Sequence, residues 1–273
     1  ADTFGIAKRY TDYRKMLDQE RVDAVYILMP PHHLFDITMD VLERGLHVFI
    51  EKPPAVTTFQ AESLAEAATR KGLLTMVGFN RRFIPLIRQV RAQVETHGPI
   101  NHCVAVFYKG MPEALYYRGV IDYLHCDAIH AVDALRWMGG EVEEVASVMG
   151  CFGSTRENAC QAVVRFAGGA TGVLMTNWAT GARTHVFEMH ARGISAFINP
   201  DVEARIYSAE HPLGRIIGTT ESAGTKEWYI YYGFYHENRH FIDCLKTGKQ
   251  PETNFADAAG SMRLVDDLYA AAV

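Results

Sequence analysis

Short apolar runs alternate with amphipathic stretches along the first part of the chain. Val22–Met29 is the first such run; its length and composition predict a strand buried on both faces, stopped by Pro30-Pro31. His33–Arg44 has helical spacing, with Leu34, Ile37, Val41 and Leu42 on one face and Gly45 as its stop. His47–Ile50 predicts a second strand, which runs into Glu51-Lys52-Pro53-Pro54, and a helix over Thr58–Lys71 follows, closed by Gly72. Leu73–Gly78 predicts a third strand, after which Asn80-Arg81-Arg82-Phe83 leads into a helix reaching Thr96. Strands and helices alternating this regularly imply βαβ units and a parallel sheet.

The pattern changes after Gly98-Pro99. Residues 101–109, 142–150, 159–166, 170–178 and 184–191 predict longer strands, with Gly168-Gly169 as a hairpin turn between two of them. One helix, residues 123–138, interrupts the run, and the tail adds helices over 235–247 and 255–272. The fold class is therefore α/β plus α+β. Residues 1–98 form a parallel-sheet unit, residues 99–273 an open, mainly antiparallel sheet unit, and the cleft between them is the expected ligand site.

Composition narrows the function classes. Net charge is −5, from 27 Lys+Arg against 32 Asp+Glu, and no basic stripe is present, which argues against nucleic-acid binding. No apolar run approaches the ~20 residues of a membrane span. Five cysteines, odd in number and widely spaced, point to free thiols in a reducing, cytoplasmic compartment rather than a disulfide framework.

Ligands of an open parallel sheet bind outside the carboxyl ends of its strands, which brings forward three segments: Pro30-Pro31-His32-His33, Glu51-Lys52-Pro53 and Asn80-Arg81-Arg82. Lys52 is either a surface lysine at a strand-to-helix turn or a partly desolvated ammonium that can donate a proton or polarise a substrate oxygen. On the helix over 123–138, Asp127 and His130 share a face at i, i+3, an arrangement that would favour the imidazolium and orient the ring; helix capping by the same polar residues is the alternative. His125 points elsewhere, so no metal clip is expected. His236 and His240 form an i, i+4 pair without a third ligand. The aromatic run Trp228, Tyr229, Tyr231, Tyr232, Phe234 and Tyr235 is open to sugar stacking, core packing or an interface.

Taken together, Val22-Asp23-Ala24-Val25-Tyr26-Ile27 with Pro30-Pro31, Gly45-Leu46-His47-Val48-Phe49-Ile50-Glu51-Lys52-Pro53, Gly78-Phe79-Asn80-Arg81-Arg82-Phe83 and the His130-Ala131-Val132-Asp133 helix resemble the glucose–fructose oxidoreductase / inositol dehydrogenase / MocA (Gfo/Idh/MocA) family in order and spacing. The resemblance implies a Rossmann domain followed by an open sheet domain, with NAD- or NADP-dependent oxidation or reduction of a sugar, cyclitol or related secondary alcohol. It makes Lys52 the catalytic lysine and His130 the acid/base histidine, with Asp127 assisting, and sets Pro31, His33, Glu51, Lys52 and Asn80 along the cofactor; no metal is implied. The open, mostly uncovered apolar sheet itself points to a homo-oligomer, dimer or tetramer, joined through that face.

Two departures accompany the resemblance. Many members carry an Asp one turn before the histidine, where this chain has Cys126 and the acid follows as Asp127. The sequence also contains no GxGxxG turn, and Ala1–Leu17 resembles the segment after the family's second strand, so a natural protein longer at its front by roughly one thirty-residue βαβ portion is expected. A cofactor-retaining glycosidase or epimerase of the same architecture, and a non-catalytic relative that lost nucleotide binding, are the alternative functions.

Overall fold

The run around Val25 becomes one of three short strands lying side by side in a computed structural model that describes residues 1–112 and 116–273. Helix α1 (Tyr13–Gln19), whose N-cap Asp12 accepts from the Arg14 N–H, precedes β1 (Ala24–Ile27), α2 (Pro31–Glu43), β2 (His47–Ile50), α3 (Thr58–Arg70) and β3 (Thr75–Val77). The three strands are parallel in the order β1-β2-β3, with Val25 opposite Val48 and Phe49 opposite Met76. Helix α2 starts two residues earlier than its apolar spacing predicts, because Pro31 suits the first helical position, where no N–H is needed. Burial of the first strand on both faces is not what the structure shows. Strand β1 lies at the sheet edge among the described residues, and Tyr26 is 38% exposed with its ring stacked on Phe49.

After β3, Asn80–Phe83 make one tight turn, Ile84 is extended, and α4 (Pro85–Glu95) begins on a proline. Pro85 disfavours helical geometry at Ile84, so the turn and the helix are separate pieces.

The second sheet holds β4 (His102–Gly110), β5 (Val142–Gly150), β6 (Ala159–Phe166), β7 (Thr171–Asn177), β8 (Ala179–Ala191), β9 (Ile194–Asn199), β10 (Glu203–Ser208) and β11 (Arg215–Gly218), in the order β11-β10-β9-β8-β4-β7-β6-β5. Every neighbouring pair is antiparallel except β4 with β7. Strands β9 to β11 extend the sheet beyond the five strands expected. Helix α5 (Ile129–Gly139), entered through a π-helical turn at Leu124–Ala128, packs on β4 and β7 with nearly every side chain buried. The opposite face carries a cross-strand row, Val163–Val173–Val104, running on to Glu188 and Phe197, of which Val163 and Phe197 are exposed among the described residues.

The tail, α6 (Thr219–Ala223), α7 (Trp228–Tyr231), α8 (Phe234–Thr247) and α9 (Phe255–Ala270), returns to the first sheet. Helix α9 packs on α3 and α5, and the Val77 N–H donates to the Thr253 carbonyl at 2.8 Å. No helix among the described residues is long and apolar enough to cross a membrane.

One buried ion network joins these pieces. Arg82, 4% exposed, donates through Nε and Nη2 to both oxygens of Asp133, which is wholly buried on α5. Arg82 also pairs with Asp257 of α9 at 2.8 Å, and the Ser261 hydroxyl donates to Asp133. Arg136 lies across Gly260, where a side chain would collide with it, and bonds Asp257 and Glu141. Removing one partner of such a pair strands a charge in the core, whereas replacing both by apolar groups removes the liability. Arg82→Met is therefore expected to cost about 3–5 kcal/mol in urea unfolding, with Arg82→Met/Asp133→Leu recovering most of the loss. A single variant as stable as the parent would contradict this.

Candidate active site

Strand β2 runs between β1 and β3, so Glu51 and Lys52 leave the sheet at the middle of its carboxyl edge. The Glu51 N–H still donates to Ile27 O at 3.2 Å, and the Gly78 N–H donates to Ile50 O at 2.9 Å, which keeps this exit close to the loop after β3. The Lys52–Pro53 peptide is cis. From here Lys52 crosses to the second half of the molecule. Its Nζ donates to the Cys126 carbonyl at 3.1 Å and faces Asp127 Oδ1 at 3.5 Å.

The π-helical turn decides what Asp127 does. Its wider winding takes Asp127 off the face that i, i+3 spacing assigns it, and the expected Asp127–His130 contact is not formed. Asp127 is held instead by Lys52, Lys109 and the Tyr116 hydroxyl. Burial alone would raise its carboxyl, but Lys52 and the bonds from Lys109 and Tyr116 outweigh that and keep it below the ordinary carboxylate range. His130 is left with Nδ1 buried and unpartnered among the described residues. Burial, then the charges of Arg81 and Lys52, push its imidazole well below the usual value. The ring is thus a neutral base rather than the imidazolium its sequence neighbour suggested.

Lys52 and His130 line one cleft of about 480 Å³. Glu51, Gly78, Asn80 and Arg81 border it from the first sheet, and Arg183, paired with Asp201 at 2.8 Å, borders it from the second. Burial raises the Glu51 carboxyl, with Lys52 opposing. The remaining wall is aromatic: of the aromatic run, Tyr229 and Tyr235 do not line the cleft, and Trp228, Tyr231, Tyr232 and Phe234 do. Gly233 is what brings them there. With φ +89°, it sits so close that a Cβ would lie 2.4 Å from Asn80 O, and Asn80 Nδ2 donates to Tyr232 O at 2.9 Å.

Glu51, Lys52, Asn80 and His130 thus come together, and Asp127 touches the site through Lys52. Pro31 and His33 stand at the start of α2, beyond β1 on the same sheet edge, and do not line the cleft. His125 faces away, bonded to Asp122, and the ring Nε2 of His240 accepts from the Glu252 N–H. Arg183 and Asp201 are cleft residues that the sequence does not single out, while it names Arg81 and the aromatic run without one role for either.

The residues fit the nicotinamide end of a dinucleotide. In the cleft, the buried His130 Nδ1 has no partner among the described residues and offers a polar contact to a ligand, while Leu28 and Met29, exposed beyond the cleft on the same sheet edge, offer apolar surface to the rest of the dinucleotide. Glu51, Lys52 and Asn80 would hold that end.

Comparison with known proteins agrees with this architecture. Residues 1–79 match the family model described as the oxidoreductase family with an NAD-binding Rossmann fold, and residues 87–195 match the GFO/IDH/MocA C-terminal domain. Among curated relatives, the myo-inositol 2-dehydrogenase of Thermotoga maritima is 26% identical over 97% of this chain and 81% of its own length. The scyllo-inositol 2-dehydrogenase (NAD(+)) of Bacillus subtilis is 25% identical over 94% of this chain and 78% of its own. A levoglucosan dehydrogenase solved with NADH and levoglucosan superposes with a TM-score of 0.87 at 21% identity, covering 99% of this chain and 83% of that one; the likeness establishes the shared fold.

An NMR titration of the histidine rings, with His130→Gln giving the assignment, checks the neutral imidazole. The His130 resonance is expected to stay flat from about pH 8 down to about pH 6, below the ordinary midpoint of ~6.5. A midpoint at or above that value would contradict the electrostatics described.

Proposed function

Because the chain belongs to the GFO/IDH/MocA family of oxidoreductases, we propose that it oxidises a secondary alcohol of a sugar, cyclitol or related polyol, with Lys52 and His130 as its catalytic residues. One observation carries the reading: an ammonium from the parallel half and a neutral imidazole from the other half line a single cleft. The inositol substrates named for the relatives, and the levoglucosan bound by the structural neighbour, support a polyol.

The chain's own groups divide the work. The His130 imidazole, neutral before substrate arrives, takes the hydroxyl proton as the carbonyl forms. The Lys52 ammonium, aimed by Asp127, stabilises the negative charge that develops on the oxygen. Glu51 and Asn80 would hold the nicotinamide, with Pro31 and His33 farther along the same edge. When bound, that group accepts the hydride released from carbon. The aromatic wall excludes water and presents flat faces to a sugar ring. We assign residues 1–98 to the cofactor and residues 99–273 to substrate and assembly.

Lys52→Met is expected to lower kcat by about 10²–10³-fold, the scale of losing one preorganised electrostatic contact. The melting temperature should stay nearly constant, since Lys109 and Tyr116 still hold Asp127. His130→Gln should lower the rate by about 10²–10⁴-fold. Both are read by reduced-nicotinamide accumulation across a panel of sugars and inositols with NAD and with NADP. Full activity in either variant would overturn the assignment.

The exposed Val163 and Phe197 at either end of the apolar row on the second sheet support a homo-oligomer joined face to face, and the five thiols, free in this structure, support a cytoplasmic setting. Sedimentation should return a dimer or tetramer; a monomer at micromolar concentration would contradict the assembly.

A further inference from the structure

We infer that the polyol this cleft takes carries a carboxylate, and that Arg81 is the residue that recognises it. The inference rests on the proposed polyol oxidation and names its substrate class. The starting point is how each cation near the site is matched. Arg82 holds Asp133 and Asp257; Arg136 holds Asp257 and Glu141; Arg183 holds Asp201; Lys52 and Lys109 share Asp127. Arg81 is 7% exposed and has no carboxylate partner among the described residues. Its contacts are all with neutral groups. Nη1 donates to Asn80 Oδ1 at 2.9 Å, Nε donates to His185 Nδ1 at 3.4 Å, and the guanidinium lies 4.5 Å from the centre of the Tyr232 ring.

His185 is neutral, since burial and then the charges of Arg81 and Arg183 hold its imidazole well below the usual range. It therefore stabilises the arginine as an acceptor without balancing its charge. A guanidinium presents five N–H donors, and two of these, on Nε and Nη1, are used within the protein. Arg81 also lines the cleft, so the rest of its donor edge is available there. A desolvated cation without a counter-charge is costly, and the group that best completes a guanidinium is a carboxylate bonded through two parallel N–H donors. A carboxylate placed on Arg81 would give it the ion-pair partner that Asp201 gives Arg183.

The test is calorimetric titration of the full chain with matched pairs that differ only in charge: D-glucuronate against D-glucose, and D-galacturonate against D-galactose. In at least one pair the acid is expected to bind about tenfold more tightly, the effect of one charge-assisted hydrogen bond. Arg81→Met should bring that ratio close to one, and Arg81→Lys, which keeps the charge but loses the planar fork, should give an intermediate ratio. Equal affinities within both pairs, no binding of either acid, or a ratio unchanged in both variants would overturn the inference. If Arg81→Met fails to fold, the parent ratio and Arg81→Lys still decide. The titration needs no hydride transfer. An acid preference in a protein inactive with every nicotinamide cofactor would sink the proposed oxidation alone, and oxidation of neutral polyols without acid preference would sink this inference alone.

Discussion

The bidentate pair between Arg82 and Asp133 is the constraint on which the site depends. Arg82 belongs to the turn after β3 and Asp133 to the helix that carries His130, so one buried pair fixes the parallel sheet against the second sheet's helix. Asn80 and Arg81 directly precede Arg82, and His130 lies three residues before Asp133, close to one helical turn. Their positions in the cleft follow from that anchor. Asp257, Ser261 and Arg136 extend it to α9, so the chain's tail is tied to the same point. A buried ion pair is weak evidence for stability because desolvation offsets much of its attraction, but it tolerates little variation in geometry. Here that geometric demand fixes where the groups lining the cleft stand.

A second layer of electrostatics sets protonation. Asp127 is the hub of a charged cluster, held by two ammonium groups and a phenol, and its charge fixes Lys52 where substrate oxygen would lie. Burial first, and then Arg81 with the same cations, keeps His130 neutral. Lys52 and His130 thus bring an ammonium and an uncharged base to one cleft, and the proposed alcohol oxidation uses one for the charge left behind and the other for the departing proton. The aromatic wall from α7 and α8 lowers the local dielectric and strengthens both effects.

Much of the fold was legible. The runs at Val25, Val48 and Met76 formed parallel strands, Gly168-Gly169 turned a hairpin, and the residues after β2 and β3 met at one sheet edge, because apolar periodicity and glycine or proline punctuation are local properties. Strands β9 to β11 escaped notice: their alternating residues, such as Ala204 and Ile206 against exposed Arg205, are short and mixed enough to pass for loop. The Asp127–His130 pairing inferred from ideal α-helical spacing failed on a single π turn, whose wider winding no residue type announces. The Arg82–Asp133 anchor and the unmatched Arg81 were illegible for a different reason. A charge in a sequence reads as surface until its burial and partners are known.

A crystal structure of the chain soaked with NADH tests the central claim most directly. The account requires the nicotinamide ring to lie in the cleft bordered by Lys52 Nζ and the His130 imidazole, with both nitrogens facing the space beside the ring where substrate would sit. A ring bound elsewhere, or Lys52 and His130 turned to opposite sides of it, would contradict the claim that these two residues form one reaction site.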